Sequence, residues 1–159
     1  MAVDKKRIYA AGYSAGAGMS YRLSCELSNV FAAIGVVASA PLHWDCEKNR
    51  SVSVIAFHGT HDATNPYSMA DKSIASWVKN NACNNPPITT KISEDVIKIT
   101  YGGCKDNAEA IFFRINEGGH TWPDSPIAEV YERAGLGKVN RDINATNLIW
   151  RFFEAHPMP

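Results

Sequence analysis

The pentapeptide Gly12-Tyr13-Ser14-Ala15-Gly16 has the residue types and the setting of a strained turn that presents a nucleophile. It follows the apolar segment 7–11 and precedes a helical stretch, so it lies at a predicted strand-to-helix turn. Small residues beside a serine let the backbone hold that serine at positive φ, and the following helix directs the positive end of its dipole at the hydroxyl. The pattern predicts Ser14 as a nucleophile. A structural glycine-rich turn is the alternative, because glycine and serine are common in loops.

A serine hydroxyl needs a general base, and the base needs a carboxylate that orients it. Asp62 follows the apolar segment 53–57, and His120 follows the apolar segment 110–115. If these segments are parallel strands, the three loops emerge at the carboxyl edge of one sheet, where ligands bind. The chain order of serine, aspartate and histidine is that of the α/β-hydrolases. The predicted chemistry is therefore acyl transfer through a covalent intermediate.

Two further histidines lie near the acid. His58 directly follows the apolar segment 53–57, and we interpret it as a hydrogen-bonded structural residue rather than a second base. His61 directly precedes Asp62 and could compete for its carboxylate. Metal-ligand spacing is not found among the His, Cys, Asp and Glu residues, so neither a metal nor a cofactor is predicted.

The elements that must position these residues alternate along the chain. Apolar periodicity predicts strands over 7–11, 33–38, 53–57, 96–101 and 110–115, and helices over 15–27, over 69–81 and from a cap at Asp142. In the first helix, Met19, Leu23 and Leu27 are spaced four apart on one face. The pattern predicts an α/β fold with a mostly parallel sheet of about five strands flanked by helices. The long loop 121–141 is predicted to be a mobile wall of the site.

Composition limits the classes of function. With 159 residues, 45% of them hydrophobic and 20% charged, the chain is expected to form a single domain over 1–159. The 16 basic and 16 acidic residues leave no net charge for a nucleic-acid backbone, so no nucleic-acid partner is predicted. The longest apolar stretch, 30–38, is too short to span a bilayer, and residues 1–7 lack the apolar core of a signal peptide.

Four segments together resemble one family. They are 7–27 (RIYAAGYSAGAGMSYRLSCEL), 58–67 (HGTHDATNPY), 118–123 (GGHTWP) and 142–153 (DINATNLIWRFF). The chain resembles the polyhydroxybutyrate depolymerase and feruloyl esterase group of α/β-hydrolases, and the second and third segments are more specific than the pentapeptide. The resemblance spans essentially the whole chain. It implies a serine esterase with Ser14 as nucleophile, Asp62 as acid and His120 as base.

The resemblance also implies a substrate class and a location. Feruloyl esters, acetylated sugars and short hydroxyalkanoate polyesters are all candidate substrates, as small molecules or as polymers. The family is mostly secreted, so an extracellular location is expected.

The oxyanion donors follow from the same fold. In α/β-hydrolases one donor is the backbone N–H after the nucleophile, here Ala15, and the other comes from a loop that precedes the nucleophile strand. The chain begins only a few residues before that strand, so we expect a truncated fold that lacks the second donor. Losing one donor typically costs about 10²–10³ in rate.

A partner is expected for the same reason. The strand over 8–11 would be central in the family's sheet, and a homodimer or a separate polypeptide carrying the missing part would cover its open edge. The alternative function is that of a non-catalytic or partner-dependent remnant that acts as an interaction module.

The family resemblance and the even number of cysteines favour disulfide bonds. Cys83 is expected to pair with Cys104, which leaves Cys25 with Cys46 as a less secure pair. Four buried free thiols are the alternative.

Three aromatic residues are candidate substrate contacts. They are Tyr13 beside the nucleophile, Trp122 beside the base and Trp44 after the second strand. Trp122 could equally anchor the loop that contains it, and Trp44 could lie on the surface.

Overall fold

A six-stranded sheet forms the centre of the computed structural model, which describes residues 2–40, 46 and 48–159. In chain order the strands are β1 (Tyr9–Tyr13), β2 (Ala33–Val37), β3 (Ser53–Gly59), β4 (Ile88–Lys91), β5 (Val96–Tyr101) and β6 (Ala110–Ile115). Their order across the sheet is β1-β2-β3-β6-β5-β4. The first three strands and β6 are parallel, whereas β5 and β4 pair antiparallel beside them. The predicted α/β fold with a mostly parallel sheet is confirmed.

Strand β4 was not predicted, and its sequence explains why. All four of its residues are exposed, and Ile88 is 66% exposed. A strand without a buried face has no apolar periodicity that could indicate it.

Helices cover both faces of the sheet. They are α1 (Ala15–Glu26), α2 (Tyr67–Asn80), α3 (Ala128–Arg133) and α4 (Ala145–Ala155), with a short 3₁₀ turn at Lys105–Asn107. On one face Tyr21 of α1 and Ile74 and Trp77 of α2 pack against alternate residues of the strands. On the other face α4 contributes Ile149 and Phe153 to a second core. Among the described helices, none is both long and apolar enough to cross a membrane.

The prediction of an apolar, buried face on α1 that contains Met19 and Leu27 is wrong. Met19 is 53% exposed and Leu27 is 45% exposed. The helix instead buries a face of mostly small residues together with one aromatic residue: Ala17, Ser20, Tyr21, Ser24 and Cys25. Small side chains let α1 lie close to β1, and a pattern of large apolar residues does not indicate such a face.

Two boundaries in the last third of the chain also differ from prediction. Helix α4 begins after Asn144, whose side-chain oxygen accepts a hydrogen bond from the Asn147 backbone N–H at 2.8 Å. Asp142 instead accepts a hydrogen bond from Ser93 Oγ at 2.6 Å. The long loop 121–141 contains a helix of its own, α3.

The four cysteines form two disulfide bonds, Cys25–Cys46 and Cys83–Cys104. The expected pairing is confirmed, and the alternative of four free thiols is wrong. Each bond joins cysteines that are 21 positions apart.

Candidate active site

Ser14 lies in the turn between β1 and α1 with a strained backbone. Its φ is 52° and its ψ is −120°, as the pentapeptide predicts. Its backbone N–H donates to Val37 O at 2.9 Å, which fixes the turn to the end of β2. A Cβ on Gly12 would lie 2.2 Å from the backbone of Gly16, so only glycine lets the helix pack back against the strand. The turn therefore leaves the Ser14 side chain half-buried at the carboxyl edge of the sheet.

The three residues predicted to act together are joined by hydrogen bonds. Ser14 Oγ lies 2.8 Å from His120 Nε2, and His120 Nδ1 lies 2.8 Å from Asp62 Oδ2. Because a carboxylate only accepts, the Nδ1 atom of His120 carries the proton and Nε2 is free to accept the serine proton. The Asp62 side chain is fully buried and His120 is 4% exposed, so Ser14 is the most accessible of the three.

Asp62 is held by the turn that follows β3. Its Oδ1 atom accepts hydrogen bonds from the backbone N–H groups of Thr64 at 2.9 Å and Asn65 at 2.7 Å. The Asn65 side chain donates to Ala38 O at 2.9 Å, which ties this turn to the residue after β2. The Oδ2 atom is thereby left to face His120.

The turn after β3 that contains Asp62 (the acid turn) and the loop after β6 that contains His120 (the base loop) follow neighbouring strands. Gly59 of β3 pairs with Ile115 of β6, and the His61 backbone N–H donates to Gly118 O at 2.9 Å. A Cβ on Gly59 would lie 2.1 Å from Gly118 O, so a larger residue would push the two loops apart. The distance between acid and base therefore follows from strand pairing.

The two additional histidines differ in their surroundings. His58 is 2% exposed, and its Nε2 atom lies 2.8 Å from Asn65 O and 3.5 Å from Asp62 Oδ2. Burial lowers the pKa of His58, so the ring is uncharged near neutral pH. These contacts fit the interpretation of His58 as a structural residue, whereas His61 is exposed.

The predicted substrate contacts have partners within the protein. The Tyr13 hydroxyl donates to His120 O at 2.7 Å, and its ring lies 5.1 Å from the His120 ring. Burial raises the pKa of Tyr13 to about 12. The Trp122 indole N–H donates to Thr146 Oγ1 at 3.1 Å, which anchors the loop to α4. Trp44 lies outside the described residues, and the substrate roles of all three stay predictions.

The backbone N–H of Ala15, the expected oxyanion donor, belongs to the first residue of α1. The first N–H groups of a helix have no partner within the helix and are available to an anion. The oxyanion role of Ala15 stays a prediction, as does the source of a second donor.

Sequence reasoning missed two residues near the site. Asn65 holds the acid turn, and Tyr131 of α3 places its ring 5.6 Å from that of Tyr13. The turn at Asp62 has a local signal, because its Oδ1 accepts from the Thr64 backbone N–H two residues on, but the Asn65 side chain bonds Ala38 O, 27 positions away, and has no such signal. Tyr131 offers none, because its contact depends on how the loop 121–141 folds back.

The strained serine turn, the hydrogen-bonded serine, histidine and aspartate, and the mostly parallel sheet are together typical of the α/β-hydrolases. None of the protein-family models compared with the chain matches it. The chain is similar to several curated feruloyl esterases. It is 26% identical over 160 residues to a probable feruloyl esterase C of Aspergillus clavatus, a match that covers 98% of this chain and 52% of that protein.

Two further relatives give the same result. Feruloyl esterase B of Piromyces equi is 30% identical over 150 residues, which cover 79% of this chain and 27% of that protein. Feruloyl esterase D of Neurospora crassa is 26% identical over 114 residues, which cover 70% of this chain and 39% of that protein. The chain thus spans about half or less of the length of these relatives.

A solved structure shares the fold. The acetyl xylan esterase from Aspergillus awamori superposes with a TM-score of 0.61 at 17% identity, covering 85% of this chain and 61% of that one. The predicted resemblance to feruloyl esterases is confirmed by the curated proteins, and the solved structure confirms the α/β fold. The resemblance to polyhydroxybutyrate depolymerases stays a prediction.

Proposed function

We propose that this chain is a serine esterase that hydrolyses carboxylic esters through an acyl-enzyme. The observation that supports it most directly is the hydrogen-bonded series from Ser14 Oγ through His120 to Asp62, with 2.8 Å at each step. The feruloyl esterase and acetyl xylan esterase names of the similar proteins support esters over amides.

The first half-reaction acylates Ser14. His120 Nε2 accepts the Ser14 proton as Oγ attacks the ester carbonyl carbon, and the carbonyl oxygen becomes an oxyanion. The Ala15 backbone N–H donates to this oxyanion, while the buried Asp62 carboxylate stabilises the imidazolium. The imidazolium then gives its proton to the departing alcohol oxygen as the ester bond breaks.

The second half-reaction releases the acid. His120 takes a proton from a water molecule, whose oxygen attacks the acyl carbon, and the proton returns to Ser14 Oγ as the acyl bond breaks. Aromatic feruloyl esters and acetylated sugars are the favoured substrates because they correspond to the names of the similar proteins. Hydroxyalkanoate esters are a further substrate class within this proposal.

A fluorophosphonate probe tests the proposal without knowledge of the natural ester. We expect rapid labelling of the peptide that contains Ser14, and loss of labelling in Ser14→Ala and His120→Ala. The matched control is Ser68→Ala, which removes an exposed hydroxyl on α2 and should label like the wild type. An unlabelled wild-type chain, or equal labelling in Ser14→Ala, would contradict the proposal.

A second candidate, a partner-dependent module, is supported by the position of β1. This strand pairs with β2 along one side, and along its other side no strand follows among the described residues. We propose that a second copy of the chain docks along this edge as a symmetric dimer, because the free N–H and C=O groups of a parallel strand invite pairing. Light scattering showing a monomer at micromolar concentration would contradict the dimer. Activation by a separately supplied polypeptide would favour complementation instead.

We further propose a single domain over 1–159 and an extracellular location. The two core clusters share one sheet, which supports one cooperative unit. The two disulfide bonds support an oxidising compartment. A single unfolding transition would test the first proposal, and recovery of the natural protein from the medium would test the second.

A further inference from the structure

The distance between Ser14 and His120 is not set by strand pairing. Ser14 follows β1 and His120 follows β6, and two strands, β2 and β3, lie between them in the sheet. At about 4.8 Å per strand, β1 and β6 are roughly 14 Å apart. The base loop must therefore reach across two strands to the nucleophile. The Ser14 N–H bond to Val37 O and the Asn65 bond to Ala38 O tie the two turns to the end of β2. A direct contact between the loop that contains His120 and the turn that contains Ser14 would add to these bonds and hold Nε2 at 2.8 Å from Ser14 Oγ.

The Tyr13 side chain makes such a contact. Its hydroxyl donates to the backbone carbonyl of His120 at 2.7 Å, joining residues 107 positions apart in sequence. Tyr13 directly precedes Ser14, so the bond connects the turn between β1 and α1 (the nucleophile turn) to the base loop beside the reacting groups. The Tyr131 ring lies against the Tyr13 ring with a centroid distance of 5.6 Å and supports its orientation.

We propose that Tyr13 is a positioning residue for the general base: its hydroxyl holds the base loop against the nucleophile turn and so sets the distance between Ser14 Oγ and His120 Nε2. This role rests on the proposed esterase function. It differs from the predicted role of Tyr13 in substrate binding, because the hydroxyl is already used within the protein. A residue that positions the base affects kcat, whereas one that binds substrate affects KM.

Two tyrosines of the same strand provide a matched pair of variants. Tyr13→Phe removes the hydroxyl that bonds His120. Tyr9→Phe removes a buried hydroxyl of β1 that has no hydrogen-bond partner among the described residues, and its ring stacks on Phe153 at 4.5 Å. Both variants keep the ring, so both are expected to fold.

With a p-nitrophenyl ester, we expect Tyr13→Phe to lower kcat about tenfold, the factor for one well-formed hydrogen bond, with KM within about twofold. Tyr9→Phe should leave kcat and KM unchanged. An unchanged kcat in Tyr13→Phe would overturn the proposal, as would a rise in KM alone, which would instead support substrate binding.

A readout independent of turnover separates this inference from the proposed function. The Nδ1 proton of His120, which faces Asp62, gives a downfield proton NMR resonance that broadens when the loop loosens and the proton exchanges with water. We expect broadening in Tyr13→Phe but not in Tyr9→Phe. Equal spectra in the wild type and both variants would overturn the positioning role even if Ser14 reacts with fluorophosphonate. Selective broadening supports it even if Ser14 is inert and the esterase proposal fails.

Discussion

Replacing Asp62 by asparagine should move the proton of the His120 ring from Nδ1 to Nε2. The two backbone N–H groups that bond Asp62 Oδ1 need an acceptor, so the single oxygen of the substituted amide would take that position. The NH₂ group of the amide would then face His120 Nδ1 in place of Oδ2. Because an NH₂ group donates, Nδ1 would have to lose its proton and Nε2 would carry it instead. In that tautomer Nε2 points a proton at Ser14 and cannot act as its base.

The size of the effect follows from the loss of the base. The corresponding substitution in a serine protease triad lowers kcat about 10⁴-fold through the wrong tautomer. Here the same hydrogen-bond constraint exists, so we expect a loss of about 10⁴-fold, or roughly 5.5 kcal/mol in activation free energy. Since Asp62 acts through His120, the double variant with His120→Ala should be hardly slower than His120→Ala alone.

The assay is hydrolysis of a p-nitrophenyl ester, with circular dichroism as a check on folding. Asp95→Asn is the matched control, because it changes a carboxylate whose partner is the partly exposed Lys138 at 2.9 Å. A folded Asp62→Asn variant that retains more than about a tenth of the wild-type rate would refute the tautomer argument. Independent, multiplying losses in the double variant would refute the claim that Asp62 acts through His120.

Three further predictions test the framework of the site. A Cβ on Gly12 would clash with backbone at 2.2 Å, whereas a Cβ on Gly16 would meet nothing within 4 Å. In urea unfolding, Gly12→Ala should therefore lower the free energy of unfolding by about 3 kcal/mol, and Gly16→Ala should leave it unchanged or raise it by about 0.5–1 kcal/mol. Cys83→Ser should cost about 3 kcal/mol, and breaking the other disulfide bond should cost the same because both join cysteines 21 positions apart; intact mass should lie about 4 Da below the all-thiol value. Burial lowers the pKa of His58 from 6.5, so below that pH the unfolded chain takes up a proton that the folded chain does not. The free energy of unfolding should therefore fall as pH decreases, by up to about 1.4 kcal/mol per unit, and His58→Gln, but not the exposed His61→Gln, should flatten this slope.

The parts of the fold that the sequence predicts are those with strong local signals. Parallel strands buried on both faces are continuous apolar segments, so β2, β3 and β6 are evident without a structure. The serine turn is equally local, because two glycines and a serine at fixed spacing determine its backbone. The expected order of nucleophile, acid and base then follows from the segments that precede them.

What the sequence does not predict depends on distant contacts. The buried face of α1 is made of small residues that touch β1, and no apolar period indicates it. Asp142 and Asn144 are both good helix caps. Asn144 caps the helix, whereas Asp142 accepts a hydrogen bond from Ser93, which is 49 positions away in sequence. The bond from Tyr13 to His120 also joins distant segments. The sequence suggests Tyr13 as a substrate contact and does not reveal that its hydroxyl is already hydrogen-bonded within the protein.

The bond between Asp62 and His120 and the bond between His120 and Ser14 depend on different parts of the sheet. Acid and base follow adjacent strands, so their geometry persists as long as β3 and β6 are paired. The nucleophile follows β1, an edge strand with one neighbour among the described strands, and edge strands open more readily than central ones. Any loosening at β1 would therefore separate Ser14 from His120 first and leave the bond between His120 and Asp62 intact. If a partner docks along β1, it would raise the rate by steadying the nucleophile rather than by altering the base, and kcat would rise without a change in the tautomer of His120.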